Sequence, residues 1–422
     1  MIRLNRKKKL IVAIAITLII IILAIVITTN IISNNSQIAN EGYLATTANA
    51  SSKLVASYIK KGITIGGITG TLEVLDTSDA TATAEDIAKG KTAYVNGVKI
   101  TGTYVENTLG TVTGNETTNS EVNDKYGNIV KVPAGFKVVN PEDDVTKGII
   151  IEDVSAKGAT TYTKGSQFVW IPVGDVITDS NGSTTSITLG RYTFASNGTE
   201  TLVQSAENWS QEVAISTYYK ELATSSYGNA TAKNLEEFIT KATTSGGYYI
   251  GRYEAGDAKA TDAARTGTNN VSNPNNPITC KAGVYPYNYV NQSDASKLAR
   301  EMYNNNDNFD SDLINSYAWD TAIVFIQTFS GDTNYSLQVR LQSTLAKCGE
   351  ATDGTNNDAR CNIYDMAGNT FELSTETSSN TSGPCVRRGG YYIYTYYYTS
   401  YRYYNGTTYS SSYGSFRPTL YL

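Results

Sequence analysis

Residues Arg387–Leu422 read RRGGYYIYTYYYTSYRYYNGTTYSSSYGSFRPTLYL. Between Tyr391 and Tyr413 stand eleven tyrosines: Tyr391, Tyr392, Tyr394, Tyr396, Tyr397, Tyr398, Tyr401, Tyr403, Tyr404, Tyr409 and Tyr413. Ser, Thr, Asn and Gly fill most of the gaps, which is the alphabet of binding paratopes. Tyrosine offers a large, stiff, amphipathic contact surface with two torsions to freeze, and the small polar residues adapt their hydrogen bonds. The plain alternative is a pair of tyrosine-rich β-strands. A strand buried on one face needs aliphatic residues at alternate positions, and Ile393 is the only one here. So many phenol hydroxyls cannot all be buried and satisfied, so much of this surface must meet water or a ligand.

The chain has 422 residues and a net charge of −5, which argues against a nucleic-acid partner. It has no histidine, so every catalytic pair built on imidazole and every imidazole metal site is excluded. Four cysteines, Cys280, Cys348, Cys361 and Cys385, form no Cys-x-x-Cys motif. In an extracytoplasmic protein one or two disulfides are their natural use, and three pairings are possible.

Residues 1–9 are basic, and Leu10–Ile27 is an apolar run broken only by Thr17. Such a run can cross a hydrocarbon core of ~30 Å. Its basic flank predicts a cytoplasmic N-terminus and an outward-facing remainder, so residues 1–30 read as a cytoplasmic stub with a single transmembrane signal anchor at residues 10–27. A cleaved signal peptide is the competing reading. Residues 31–110 read as a β-hairpin stalk, because Lys61–Thr71 is echoed by Tyr94–Thr103, with Gly70 and Gly102 in equivalent places. The second copy carries Asn96-Gly97, a two-residue hairpin turn. A Thr/Asn/Gly linker at residues 111–124 precedes the main domain at 125–422. There, short apolar runs alternate with turn residues: Val130–Val139, Ile149–Ile151, Phe168–Gly174 and Tyr248–Glu254. Residues 175–245 look like insertions of turns and helical pieces. Ser293 can cap a helix over 295–303, and Ser311–Thr328 has helical apolar spacing. Strands with two central helices and no βαβ rhythm predict an α+β domain.

Five segments carry a resemblance. They are Phe168-Val-Trp-Ile-Pro-Val-Gly174, Tyr249-Ile-Gly-Arg-Tyr-Glu254, Asn362-Ile-Tyr-Asp-Met-Ala-Gly-Asn-Thr-Phe-Glu372, Arg388-Gly-Gly390 and Gly414-Ser-Phe-Arg417. In this order they resemble the formylglycine-generating-enzyme (sulfatase-modifying-factor) version of the C-type-lectin fold, over roughly residues 125–422. The enzymes of that family have two active cysteines bracketing Tyr-Arg-Tyr; this chain has Ser400-Tyr-Arg-Tyr-Tyr-Asn405. Without those thiols the resemblance implies no copper site, and without histidine no iron site. What remains resembles a further branch, the variable proteins of diversity-generating retroelements, in which codons of the C-terminal segment are rewritten at adenines. That resemblance implies that the eleven tyrosines are variable, ligand-facing positions, and that Arg388, Gly389, Gly390, Arg402, Phe416 and Arg417 are scaffold. It also implies a structural calcium site at Asp365, Gly368, Thr370 and Glu372, a set of hard oxygen donors. The implied function is capture of a macromolecular or cell-surface ligand without catalysis. A formylglycine-type oxidase and a purely structural surface protein are the alternatives.

Overall fold

The structure is a computed structural model that describes residues 54–104, 106–209, 212–214, 219–222, 235–260, 276–350 and 358–422. It divides into two compact units, one ending at Val105 and one from Glu106 to Leu422.

In the smaller unit one motif occurs twice. A 3-10 turn at Ala56–Tyr58 leads to a hairpin, Thr64–Ile65 with Ile68–Thr69, closed by a parallel bridge between Lys60 and Leu72. The second copy has its turn at Ala84–Asp86, its hairpin at Thr92–Val95 with Val98–Thr101, and its bridge between Ala88 and Tyr104. The hairpin tips need positive φ at both central residues: Gly66 and Gly67 in one, Asn96 (50°) and Gly97 (75°) in the other. A side chain at Gly70 would put its Cβ 2.3 Å from the Ile59 carbonyl oxygen, and one at Gly102 would stand 2.1 Å from that of Ile87. The two glycines therefore let the chain cross its own backbone at equivalent points.

The larger unit is built on two six-stranded sheets. Their strands in chain order are β1 (Phe136–Val138), β2 (Ile150–Asp153), β3 (Gln167–Pro172), β4 (Glu212–Ala214), β5 (Tyr219–Leu222), β6 (Gly247–Gly251), β7 (Asp310–Leu313), β8 (Phe371–Ser378), β9 (Cys385–Arg388), β10 (Arg402–Asn405), β11 (Gly414–Phe416) and β12 (Pro418–Tyr421). The first sheet runs β7-β12-β6-β3-β2-β1. Both its faces are covered. Phe168, Trp170, Tyr249 and Leu420 enter one apolar cluster, and Val169, Ile171, Tyr248, Ile250 and Tyr421 enter another. The continuous apolar run of β3 reflects that two-sided burial. The second sheet runs β4-β5-β8-β9-β10, and β11 pairs with β8 in parallel.

Three helices pack among these strands: α1 (Leu235–Thr244), α2 (Gln292–Glu301) and α3 (Ser316–Phe329). The sequence reading set the start of α3 five residues too early, because Asp310–Leu313 pairs with Pro418–Tyr421 as an edge strand. Asn315 caps the helix by accepting from the Ala318 amide at 2.9 Å. Nor is α3 two-faced. Every residue from Ser316 to Gln327 is buried, including Asp320 and Thr321. Asn291, rather than Ser293, caps α2.

Two further expectations are corrected. In place of the predicted α+β balance, the described residues hold twenty-six short strands and only three α-helices. Apolar runs of four to six residues between turn formers are the length of strands, not of helices. The predicted single-pass membrane arrangement is also overturned: no helix among the described residues is long and apolar enough to cross a membrane. The longest, α3, has fourteen residues. At ~1.5 Å per residue it reaches ~21 Å, short of ~30 Å. Residues 10–27, on which that expectation rested, lie outside the described residues. The expected disulfides are absent as well, since all four cysteines are free thiols.

Candidate functional site

The five recognisable segments meet in one hydrogen-bonded frame. Asn362, at positive φ, donates from Nδ2 to the carbonyls of Lys147 (3.0 Å) and Gly148 (2.9 Å). Its own carbonyl accepts from Arg252 Nε at 3.2 Å. Asn369, also at positive φ, donates from Nδ2 to Glu254 (2.6 Å) and accepts at Oδ1 from Gln342 and from the Ala346 amide. Glu372 accepts from Arg417 on both oxygens, at 2.9 and 2.5 Å, and Arg417 also donates to the carbonyls of Gly251 and Tyr364, at 2.7 Å each. Asparagine tolerates the left-handed backbone and still offers a donor and an acceptor, which is why it recurs in this motif.

A second buried network lies under β9 and β10. Arg388 pairs with Asp320 (2.5 Å) and Glu376 (3.2 Å), and Arg402 pairs with the same two carboxylates at 2.5 and 2.9 Å. Arg191 also bonds Glu376. Among the described residues three guanidinia thus share two carboxylates. Burial raises the Asp320 carboxyl pKa, but Arg388 and Arg402 overcome it and hold the group below the usual carboxylate range. Burial likewise opposes the Arg402 charge, and Asp320 and Glu376 outweigh it, so its pKa is raised. Breaking such a pair from one side typically costs ~3–5 kcal/mol.

The tyrosine segment runs over this frame. Only Arg402–Asn405 is strand, and residues 391–400 are turns and loop. The loop is tied down along its length. The Tyr392 amide donates to the Asn369 carbonyl, and the Tyr392 carbonyl accepts from the Gln342 amide. The amides of Thr399 and Ser400 bond the carbonyls of Gln338 and Ser336, and the Trp319 indole donates to the Thr399 carbonyl at 3.0 Å. Gly389 and Gly390 open the loop. A Cβ on Gly389 (φ 74°) would stand 2.7 Å from the Met366 oxygen, and one on Gly390 would stand 2.4 Å from that of Tyr397.

Of the eleven tyrosines only Tyr391 is buried, at 8 % exposure. Tyr394 (46 %), Tyr396 (76 %), Tyr404 (40 %) and Tyr409 (39 %) are exposed. Tyr392, Tyr397, Tyr398, Tyr401, Tyr403 and Tyr413 are half-buried. The rings brace one another. Phe371 lies 4.5 Å from Tyr391 and 5.1 Å from Tyr397, and Tyr391 in turn meets Tyr394, Tyr397 and Tyr413 at 5.4, 5.7 and 5.1 Å. Tyr397 carries the contact on to Tyr401 (4.8 Å) and Tyr403 (5.7 Å), and Tyr403 stacks on Tyr404 at 5.6 Å. Pairs of this kind contribute ~0.5–1.5 kcal/mol each beyond area burial. They also leave less ring freedom to be lost on binding.

Sequence reading overlooked the group at the centre of this patch. The Arg387 guanidinium lies over the rings of Phe371 (4.1 Å), Tyr409 (4.8 Å) and Tyr403 (5.1 Å). With its carboxamide oxygen turned inward, Asn405 accepts from Arg387 Nε at 2.5 Å and Nη2 at 3.3 Å. Burial lowers the Arg387 pKa, and the neighbouring Tyr409 hydroxyl works the other way. Ring faces supply ~2 kcal/mol or more to a desolvated cation.

The residues expected to hold calcium do not converge on an oxygen cage. Both Glu372 oxygens are engaged by Arg417, and the Thr370 amide and hydroxyl both donate to Glu254. Asp365 Oδ2 accepts from the Gly349 amide at 2.6 Å, and its Oδ1 has no partner. Gly368 lies against the Arg340 backbone through a parallel bridge. Among the described residues no group of three or more Cys, Asp or Glu side chains is placed to hold a metal ion. The donor set as arranged is therefore a poor fit to calcium, because an arginine already supplies the positive charge at Glu372. The thiols are equally unsuited to nucleophilic work. Burial pushes Cys280 and Cys385 up to about 11 and Cys361 up to about 12, so they stay protonated at neutral pH.

No family model matches the chain, and no curated protein matches it. Among solved structures, the chain is similar to Treponema denticola variable protein 1 at 16% identity, over 42% of this chain and 85% of that one, with a TM-score of 0.24. A TM-score that low establishes no common fold.

Proposed function

We propose that residues 391–413 form a recognition surface that holds a macromolecular or cell-surface ligand and does not transform it. The observation that carries this reading is a patch of mutually braced tyrosine rings, ten of them at least partly exposed, on a loop anchored to a rigid frame. Large amphipathic rings with little freedom to lose are what a binding surface requires. The chain has no histidine and the Cys385 thiol stays protonated, so neither imidazole nor thiolate is offered beside the patch as base or nucleophile. The Tyr/Ser/Asn/Thr mixture between Arg388-Gly-Gly390 and Gly414-Ser-Phe-Arg417 further supports diversification of this segment by a retroelement.

Two measurements test the proposal. Binding of the full chain to a panel of whole cells should fall when Tyr394, Tyr396, Tyr404 and Tyr409 are replaced together by Ser while the melting transition persists. Equal binding would refute the recognition role. The DNA beside the coding sequence should contain a reverse-transcriptase gene and a near-copy of the 3′ end that differs at adenines. Its absence would refute diversification and leave the binding surface standing.

A further inference from the structure

Between Arg387 and Leu422 there are four arginines and no Asp, Glu or Lys, so any countercharge must come from elsewhere. For three of the four it does: Arg388 and Arg402 meet Asp320 and Glu376, and Arg417 meets Glu372. Arg387 differs. No carboxylate among the described residues lies within ion-pair distance of it, although its side chain is only 5 % exposed. Its polar neighbours are neutral, Asn405 on one edge and the Tyr409 hydroxyl on another, and Nη1 meets no hydrogen-bond acceptor. Among the described residues the network beneath holds three guanidinia and two carboxylates, so it offers Arg387 no surplus negative charge.

A buried guanidinium without a countercharge is costly, and proteins normally pair it. Here the aromatic faces of Phe371, Tyr403 and Tyr409 compensate in part, and two of those rings belong to the exposed patch. The Tyr409 ring, 39 % exposed and on the loop after β10, lies against the Arg387 guanidinium at 4.8 Å. The planar fork of arginine matches a carboxylate with two parallel hydrogen bonds, and the buried Nη1 is the side of that fork without an acceptor.

We infer, on the reading of residues 391–413 as a recognition surface, that Arg387 anchors an aspartate or glutamate side chain of a protein ligand, admitted past the Tyr409 ring. A protein ligand is favoured over an acidic saccharide because Tyr and Arg together are the residues that dominate protein–protein hot spots. The Ser, Asn and Gly between them also suit adaptable peptide contacts. The surrounding tyrosines exclude water from the pair and supply the rest of the contact area.

The test is selection of a random peptide library, displayed on phage, on the immobilised full chain, followed by affinity measurement with synthetic peptides. Selected peptides are expected to share an acidic residue. Its replacement by the matching amide should weaken binding to the native chain by about 30-fold or more, with little change for Arg387→Gln. If Arg387→Gln does not melt cooperatively, Arg387→Lys takes its place, and the acid-over-amide preference should persist with weaker binding overall. Selected peptides without a shared acidic residue would overturn the inference and leave the recognition surface intact. An amide penalty equal in native and Arg387→Gln chains, or no acid preference in Arg387→Lys, would overturn it too. Binding of an acidic glycan on an array, lost in Arg387→Gln with no peptide selected, would overturn the protein source. Failure to select any peptide, with no glycan bound, would refute the recognition surface itself.

Discussion

Replacing Asp320 by Asn tests the frame beneath the tyrosine patch. Asn keeps the size of the side chain and can still accept from the Tyr192 amide, now 2.9 Å from Oδ2, but it removes one of the two carboxylates shared by Arg191, Arg388 and Arg402. Among the described residues Glu376 would then be the one carboxylate left in the network, and removing one partner from such a site costs ~3–5 kcal/mol. Arg388→Met should cost less, because it leaves two guanidinia with two carboxylates. Denaturant unfolding is the assay. The midpoint should fall while the slope stays constant, so that the loss reflects stability and not a change in the exposed surface. The pH dependence gives an independent reading. The folded Asp320 pKa is depressed, so its contribution is present above the unfolded value of ~3.9 and is lost as pH falls through the folded value. Asp320→Asn should therefore flatten the acid limb below about pH 4 relative to the native chain. A loss under ~1 kcal/mol, or an unchanged acid limb, would refute the claim that this network holds the loop's platform.

Tyr396→Ser, at the most exposed ring of the patch, should change stability by less than ~0.5 kcal/mol in the same unfolding assay. Gly390→Ala should destabilise by ~1–3 kcal/mol, since its Cβ would stand 2.4 Å from the Tyr397 oxygen, and calorimetry would register the drop. A calcium chelator should leave the melting temperature unchanged, because Arg417 already occupies both oxygens of Glu372; a fall on chelation that calcium reverses would restore the calcium expectation. Native-state thiol titration should find Cys280 and Cys385 unreactive at neutral pH, both being buried with raised pKa values.

Sequence periodicity located β3 and β6 closely, because strands buried on both faces leave uninterrupted apolar runs, as in Phe168–Pro172 and Tyr248–Ile250. It misplaced the start of α3. The apolar spacing of Leu313 and Ile314 continues the helical pattern, whereas the edge pairing with β12, more than a hundred residues away, draws Asp310–Leu313 into the sheet. That much of the tyrosine surface meets water could be anticipated from the crowding of hydroxyls and from the lack of aliphatic residues to bury them, whereas the bracing of ring on ring could not. Which arginine has no carboxylate partner among the described residues could not either. Arg387, Arg388, Arg402 and Arg417 are alike as letters, and their partners Asp320, Glu372 and Glu376 lie outside the tyrosine segment. Local composition alone dictated a polar, ring-rich loop unable to hide its hydroxyls. Only the tertiary fold assigned the countercharges, because ion pairing depends on distances of a few ångströms between residues remote in the chain, and among the described residues it gave Arg387 none.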